Sequence, residues 1–397
     1  MNEADFPTPE EEVATIDPLT LEARIESGED VTILDARVES EYDTWHIDGE
    51  AVESHNIPYF HFLDDPDDDL LDRVPDADPL VVVCAKGGAS EYVASVLKAE
   101  RDVEAVNLED GMNGWANIYR REEVTAYDGP GTLYQYQRPS SGCLGYLVVS
   151  DGEAAVVDPL RSFTDRYLAD ANELDVTLDY AIDTHVHADH VSGVRDLDER
   201  GVDGVIPAAS VQRGVTYADD LTRIEDGDEL QVGEATIEAV YTPGHTTGMT
   251  SYLVGDSALL TGDGLFVESV ARPDLEEGDE GAPDAARQLY ETLQERIRAL
   301  PDDTVIAGGH ASDAAETAAD GTFTARLGDL VEQMEPLRMD ESAFVDVILA
   351  DMPPRPANYE DIIATNLGQQ SVDDDEAFEL ELGPNNCAAS GDALTGD

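Results

Sequence analysis

Lysine is almost missing from this chain. Of 22 basic residues in 397, only Lys86 and Lys98 are not arginine. Against them stand 89 acidic residues, for a net charge of −67. A surface so poor in positive charge repels nucleic acid and anionic membrane, which excludes both as partners. It also repels itself, and that repulsion fades only where salt shortens the Debye length, to about 3 Å near 1 M. The acid is spread along both halves, so the expected setting is a salt-rich cytoplasm of a halophile. Cysteine is scarce too. Cys84, Cys143 and Cys387 are an odd number, far apart, so no disulfide framework is expected. No apolar run approaches the ~18 residues of a membrane span. The opening MNEADFPTPEEEVATIDP has neither a basic nor an apolar stretch, so the reading expects no export signal and a cytoplasmic protein.

What is present divides in two. From 13 to 122, short apolar runs alternate with helical stretches. VTILDA (31–36) and LVVVC (80–84) read as buried parallel strands. SEYVASVLKAE (90–100) reads as a helix, with Val93 and Leu97 on one face and Ser90 as its N-cap. RREEVTAYDGP (120–130) has no periodicity and ends in a Gly-Pro breaker, which places a linker at 123–130. Beyond it, YLVVS and AAVVDP flank Asp151-Gly152 as a β-hairpin. Strands recur with helices between them, one of which repeats Leu289, Leu293, Ile297 and Leu300 before Pro301. A mixed α/β domain is expected over 131–350. Residues 351–397 then form a C-terminal extension with a partly mobile acidic tail that includes Cys387.

The second half holds five of the eight histidines, all in ligand-type motifs. His185-Val186-His187-Ala188-Asp189-His190 follows the apolar segment YAIDT. His245 in TPGHTTGM, Asp263 in TGDGLF and His310 in AGGH complete the set. Imidazole and carboxylate together suit zinc, iron or manganese, and open positions on such a site support hydrolysis or oxygen chemistry.

These motifs resemble the metallo-β-lactamase superfamily. The resemblance implies an αββα sandwich with the metal at one edge. Within the superfamily, Ala271-Arg272-Pro273-Asp274 and PPRPANYEDIIATN (353–366) are similar to elements of the persulfide dioxygenases, although Ala271 replaces a glycine. That branch implies one Fe(II) per chain on His185, His245 and Asp263, with Arg272 anchoring the anionic thiol carrier. The implied substrates are a low-molecular-weight thiol persulfide and O2. His187, Asp189, His190 and His310 would then be second-site or surrounding residues. They leave open a glyoxalase-II-like thioester hydrolase with two Zn. Members of the superfamily often dimerise, so a homodimer is an expected state.

In the first half, Cys84-Ala85-Lys86-Gly87-Gly88-Ala89 sits between a strand and a helix. Such a loop aims backbone N–H groups at one point, and the helix N-terminus adds positive potential. Both favour a thiolate or persulfide on Cys84, with Lys86 adding a cation. With Leu34-Asp35-Ala36-Arg37, Glu41-Tyr42, His46-Ile47 and Gly111-Met112-Asn113-Gly114-Trp115, this resembles a rhodanese-like domain. That implies sulfane-sulfur exchange with thiosulfate or sulfite through Cys84. Cys143 is expected to pack at the start of a strand.

Overall fold

Neighbouring residues in a strand point to opposite faces, so an unbroken apolar run needs a covered sheet on both sides. The structure, a computed structural model describing residues 12–63, 66–101, 103–312, 314–350, 352–356, 358–383 and 389, satisfies that need in two separate units, residues 1–118 and 119–397.

In the first unit, β1 (Ala14–Ile16), β2 (Val31–Asp35), β3 (Val52–Asn56), β4 (Leu80–Val83) and β5 (Ala105–Leu108) form one parallel sheet in the order β1-β5-β4-β2-β3. Val82 joins Val93 and Leu97 in one core, while Val81 and Val83 join Met112 and Trp115 in the other. Cys84 therefore sits at the carboxyl end of the middle strand, where open α/β sheets bind their ligands.

The second unit carries two sheets. Seven strands follow one another in sequence order: β6 (Arg120–Glu123), β7 (Thr132–Arg138), β8 (Cys143–Ser150), β9 (Glu153–Val157), β10 (Thr177–Ile182), β11 (Asp203–Pro207) and β12 (Thr222–Ile224). Six more do the same: β13 (Glu229–Val232), β14 (Ala235–Tyr241), β15 (Thr250–Val254), β16 (Ala258–Gly262), β17 (Val305–Gly308) and β18 (Thr324–Arg326). Val157 and Leu260 meet in the core between the sheets. Their neighbours Val156 and Leu259 face outward, against helical residues such as Tyr167 on one side and Leu289 on the other. The result is the αββα sandwich that the resemblance implies. The Asp151-Gly152 hairpin forms with both residues at positive φ, 47° and 85°, as a tight two-residue turn requires.

Two expectations need correction. The first domain, expected to run to 122 with a linker at 123–130, ends earlier, because Arg120–Glu123 is an edge strand of the second unit paired antiparallel with β7. Its four polar residues show no alternation, yet Arg121 lies over the Tyr134 ring and pairs with Asp170 and Glu173. The helix at Gly278–Glu291 widens into a π-helical stretch at Thr292–Ile297, closed by an Arg298 N–H donated five residues back to Leu293. A strict four-residue spacing drifts around an α-helix, and the wider turn keeps Leu289, Leu293 and Ile297 in one core. The tail, expected to be partly mobile, is docked as far as residue 383 by a capped helix at Asp374–Leu380. Cys387 lies outside the described residues.

That docking has a measurable consequence. Arg138 and Glu381 are both fully buried, 2.6 Å apart, with the guanidinium between the Phe163 and Phe378 rings. Glu381 also accepts from the Val191 N–H, just past the histidine motif. Removing one partner of such a pair strands the other charge. Glu381→Ala is therefore expected to cost about 3–5 kcal/mol in denaturant unfolding measured at high salt.

Candidate metal centre and cysteine loop

The ligand-type residues gather because each follows the end of a strand in one of the two sheets. His185–His190 follow β10, His245 follows β14, Asp263 follows β16 and His310 follows β17. All seven side chains are buried.

Three of them converge. Asp263 Oδ2 lies 3.6 Å from His185 Nε2 and 3.6 Å from His245 Nε2. None of these three atoms has a hydrogen-bond partner, although all are shielded from water. Three facing acceptors without donors are costly unless a cation lies among them. Ligands about 2.0–2.2 Å from one ion stand at such mutual distances, so the residues present fit a metal.

The opposite side of each ligand is held in place. Thr184 donates to Asp158 from its backbone N (2.7 Å) and its hydroxyl (2.9 Å), and that hydroxyl is 2.9 Å from His185 Nδ1. With the hydroxyl proton committed to Asp158, His185 must donate from Nδ1, which leaves Nε2 as the lone-pair face. Burial and then His187 hold the His185 pKa well below the usual histidine value, so the ring is neutral, as ligation requires. His245 Nδ1 donates to the Arg272 carbonyl at 2.9 Å, and burial lowers its pKa too. Burial alone would raise Asp263, but His310, donating from Nδ1 to Oδ1 at 2.7 Å, together with His185 and His245 keeps it ionised. Thr184→Val is expected to weaken metal binding by about 10–100-fold with the fold intact, read by competition with a chelator.

His187 faces elsewhere. Its Nε2 is 3.1 Å from Asp158 and 3.6 Å from Asp183. Burial and His190 oppose protonation, but the carboxylates prevail and raise its pKa to about 9. Asp189, His190 and His310 form a second cluster. Asp189 Oδ2 is 2.6 Å from His190 Nδ1 and 3.0 Å from His310 Nε2.

Two residues take roles the sequence did not indicate. Cys143 starts β8 and is buried, as expected, but its sulfur also touches this second cluster. Arg272, expected beside the substrate, is 1% exposed and engaged within the fold. Its guanidinium donates to both oxygens of Asp274 and to the Pro353 and Pro354 carbonyls. It thus fixes the C-terminal extension and, through its own carbonyl, His245. Arg272 still lines a cleft of about 630 Å³ that also contains Arg355. A separate cleft of about 340 Å³ reaches His245 itself. Asn366, which closes the PPRPANYEDIIATN element, carries a role the sequence did not assign. It donates to the His187 and His190 carbonyls (3.0 and 2.8 Å) and accepts from Ser192 N, so it sets the backbone of the histidine motif.

In the first unit, Cys84 Sγ accepts from the Gly87 backbone N and the Ser90 hydroxyl, each at 3.1 Å. The helix begins at Gly88, so Ser90 lies in its first turn rather than capping it, and its hydroxyl faces the sulfur. The GMNGW segment fixes the loop from below: Met112 N donates to the Cys84 carbonyl and Asn113 N to that of Ala85. Gly111 is obligatory there, at φ +57° with room for no Cβ, which would lie 2.1 Å from the Cys84 oxygen. Lys86 is exposed. Arg37 is held by both oxygens of Asp35, a structural pair.

Comparison with known proteins agrees with this division. Residues 17–118 match the rhodanese-like domain and residues 140–310 the metallo-beta-lactamase superfamily. The chain is 31% identical to the persulfide dioxygenase ETHE1 of Bos taurus, over 48% of this chain and 72% of that one. It is 32% identical to a hydroxyacylglutathione hydrolase of Methylococcus capsulatus, over 50% and 75%. Among solved structures, ETHE1 from Myxococcus xanthus superposes with TM-score 0.52 at 29% identity, covering 60% of this chain and 99% of that one. A metallo-beta-lactamase from Staphylococcus aureus superposes with TM-score 0.55 at 25% identity, covering 61% and 73%.

Proposed function

Since this chain belongs to the metallo-β-lactamase superfamily and carries a rhodanese-like domain ahead of that fold, we propose that it oxidises a low-molecular-weight persulfide with O2 and exchanges sulfane sulfur at Cys84. The oxidation balances as R–S–SH + O2 + H2O → R–SH + SO3²⁻ + 2H⁺. The observation that carries the reading is the convergence of two imidazole nitrogens and one carboxylate oxygen, while His187 Nε2 lies near Asp158 and Asp183 and His310 spans Asp263 Oδ1 and Asp189 Oδ2. Two histidines and one carboxylate with open positions are the donor set of non-haem iron oxygenases. Fe(II) held there would supply the redox capacity for O2 to react with a sulfur anion.

The protein's own residues do the rest. Thr184 and Asp158 orient His185, the Arg272 carbonyl orients His245, and His310 holds Asp263 ionised. The cleft reaching His245, buried at Gly244, Thr246 and Pro273 and open at an exposed rim that includes Thr247, Glu277 and Arg287, would admit the persulfide. At Cys84, the thiolate takes the outer sulfur of thiosulfate and releases sulfite. The resulting persulfide passes that sulfur to a thiol and regenerates the thiolate. Gly87 N and Ser90 Oγ stabilise the sulfur anion in both states.

Thioester hydrolysis at two Zn(II), as in the hydroxyacylglutathione hydrolases, is the competing chemistry, and ion number separates the two. No described helix is long and apolar enough to cross a membrane. The net charge of −67 supports a setting of concentrated salt, where the self-repulsion is screened. The test is O2 uptake by anaerobically purified, Fe(II)-loaded protein in multimolar KCl after addition of glutathione persulfide or cysteine persulfide. One sulfite formed per O2 consumed is the expected result. No uptake with iron bound and the fold intact would reject the oxidation in favour of hydrolysis.

A further inference from the structure

The two histidines of the convergent set stand on separate loops, His185 past β10 and His245 past β14. Main chain joins the loops at one point, where Thr250 N donates to the Thr184 carbonyl at 2.9 Å. A third segment, the helical turn Ala208–Arg213 after β11, touches both loops as well. Gly248 lies directly on Ser210. A Cβ at position 248 would come 2.3 Å from the Ser210 hydroxyl oxygen, so only glycine permits this approach.

Arg213 closes that turn, and its side chain is only 7% exposed. Its Nη1 donates at 3.2 Å to the carbonyl of Val186, the residue between His185 and His187. Its Nε lies 3.4 Å from Glu276 Oε1. Glu276 Oε2 in turn accepts from the N–H of Thr247, two residues past His245, at 2.5 Å. The Tyr241 hydroxyl donates to the Thr247 carbonyl at 3.0 Å, so that residue is held at both ends of its backbone. One run of contacts, Val186–Arg213–Glu276–Thr247, thus links the His185 loop to the His245 loop. Its middle depends on charge. Burial opposes the Arg213 cation and lowers its pKa, and Glu276 is the carboxylate that counters this. Glu276 also lines the cleft that reaches His245, so the link lies at the way in.

We infer that Arg213 and Glu276 form a clamp that fixes the spacing of His185 and His245, and with it the geometry offered to an ion. Both are positioning residues, acting on the two ligands through the Val186 carbonyl and the Thr247 N–H. The inference rests on the reading of His185, His245 and Asp263 as a metal centre. It does not depend on how many ions bind or on which reaction follows.

The test reads the metal rather than turnover. Metal-free protein in high KCl is titrated with Co(II) against a chelator, and the visible bands of the bound ion are recorded because they follow ligand geometry. Arg213→Met keeps the stem of the side chain without its donors or charge. Glu276→Gln can still accept from Thr247 N and cuts only the charge pair. The two together leave no buried charge without a partner. Each variant is expected to bind Co(II) about 10–100-fold more weakly than the intact chain, with shifted bands. The double variant is decisive. Its metal-free thermal midpoint and circular dichroism are expected to match the intact chain, because the Thr250–Thr184 bond and the Gly248 packing remain. Undiminished affinity or unshifted bands in the folded double variant would overturn the inference. Should the double variant not fold, Glu276→Gln decides on the same two readings. His245→Ala tests the centre itself. Full Co(II) affinity there removes the centre and the clamp with it; a loss there without one in the double variant removes the clamp alone. O2 uptake by the intact Fe(II)-loaded chain decides the oxidation separately, and its absence leaves the clamp standing.

Discussion

His245→Ala is expected to lower bound iron to a trace and O2 uptake by about 10³-fold or more, while sulfur transfer at Cys84 proceeds unchanged. Losing one hydrogen-bonded support of a ligand costs about 10–100-fold in metal affinity, and losing the ligand itself costs more. Among the described residues, His245 supplies one of three donor atoms that converge here, and its loss leaves two. His187 Nε2 lies instead 3.1 Å from Asp158 and 3.6 Å from Asp183. The Arg272 carbonyl would also lose its donor, a smaller and local effect. Asp263→Asn is the informative companion. It keeps the size of the side chain but removes the one negative charge that faces both His185 and His245. If His245→Ala retained a full iron complement and undiminished O2 uptake, the assignment of the centre to these three residues would be wrong. An unchanged thermal midpoint and circular dichroism spectrum in either variant shows that the loss is local rather than a failure of the second unit to fold.

The ligands were legible in the sequence because each sits at a strand end with a recognisable neighbourhood. His185 follows the apolar YAIDT, His245 lies in TPGHTTGM and Asp263 in TGDGLF. Local pattern was enough for them because the two sheets bring strand ends together as a matter of topology. Cys84 was legible for the same reason, with LVVV before it and two glycines after. What sequence could not give depends on contacts between distant segments. Cys143 meets His310 across 167 residues, through one backbone bridge between two sheets. Asn366 reaches the histidine motif from 176 residues away. The role of Arg272 as an anion anchor is implied by the resemblance alone. Its carboxylate partner, Asp274, stands only two residues on, and that nearness was the available sign of an internal role. The edge strand at Arg120–Glu123 escaped notice because pairing, not apolar alternation, makes it a strand. The π-helical stretch at Thr292–Ile297 was foreshadowed by a spacing of four that an α-helix does not keep on one face.

Cys84→Ser is expected to abolish thiosulfate sulfurtransferase activity, a loss of about 10³-fold or more, and to leave oxidation of added glutathione persulfide near its original rate. A serine hydroxyl keeps the shape of the side chain but does not ionise near neutral pH, and it forms no sulfur–sulfur bond. The loop itself should survive the change, because its conformation is fixed by main-chain contacts. Met112 N and Asn113 N hold the carbonyls of Cys84 and Ala85, and Gly111 makes the close approach possible. Gly87 N and Ser90 Oγ would still face an acceptor at position 84. The result therefore isolates the sulfur rather than the fold. If oxidation of added persulfide fell with transfer, the two sites would not be independent, and Cys84 would have to lie on the oxidation path itself. If oxidation persisted while thiosulfate plus thiol no longer supported O2 uptake, Cys84 would be the supplier. It would form the persulfide that the metal centre consumes, which is the order of steps that makes joining these two domains in one chain chemically useful.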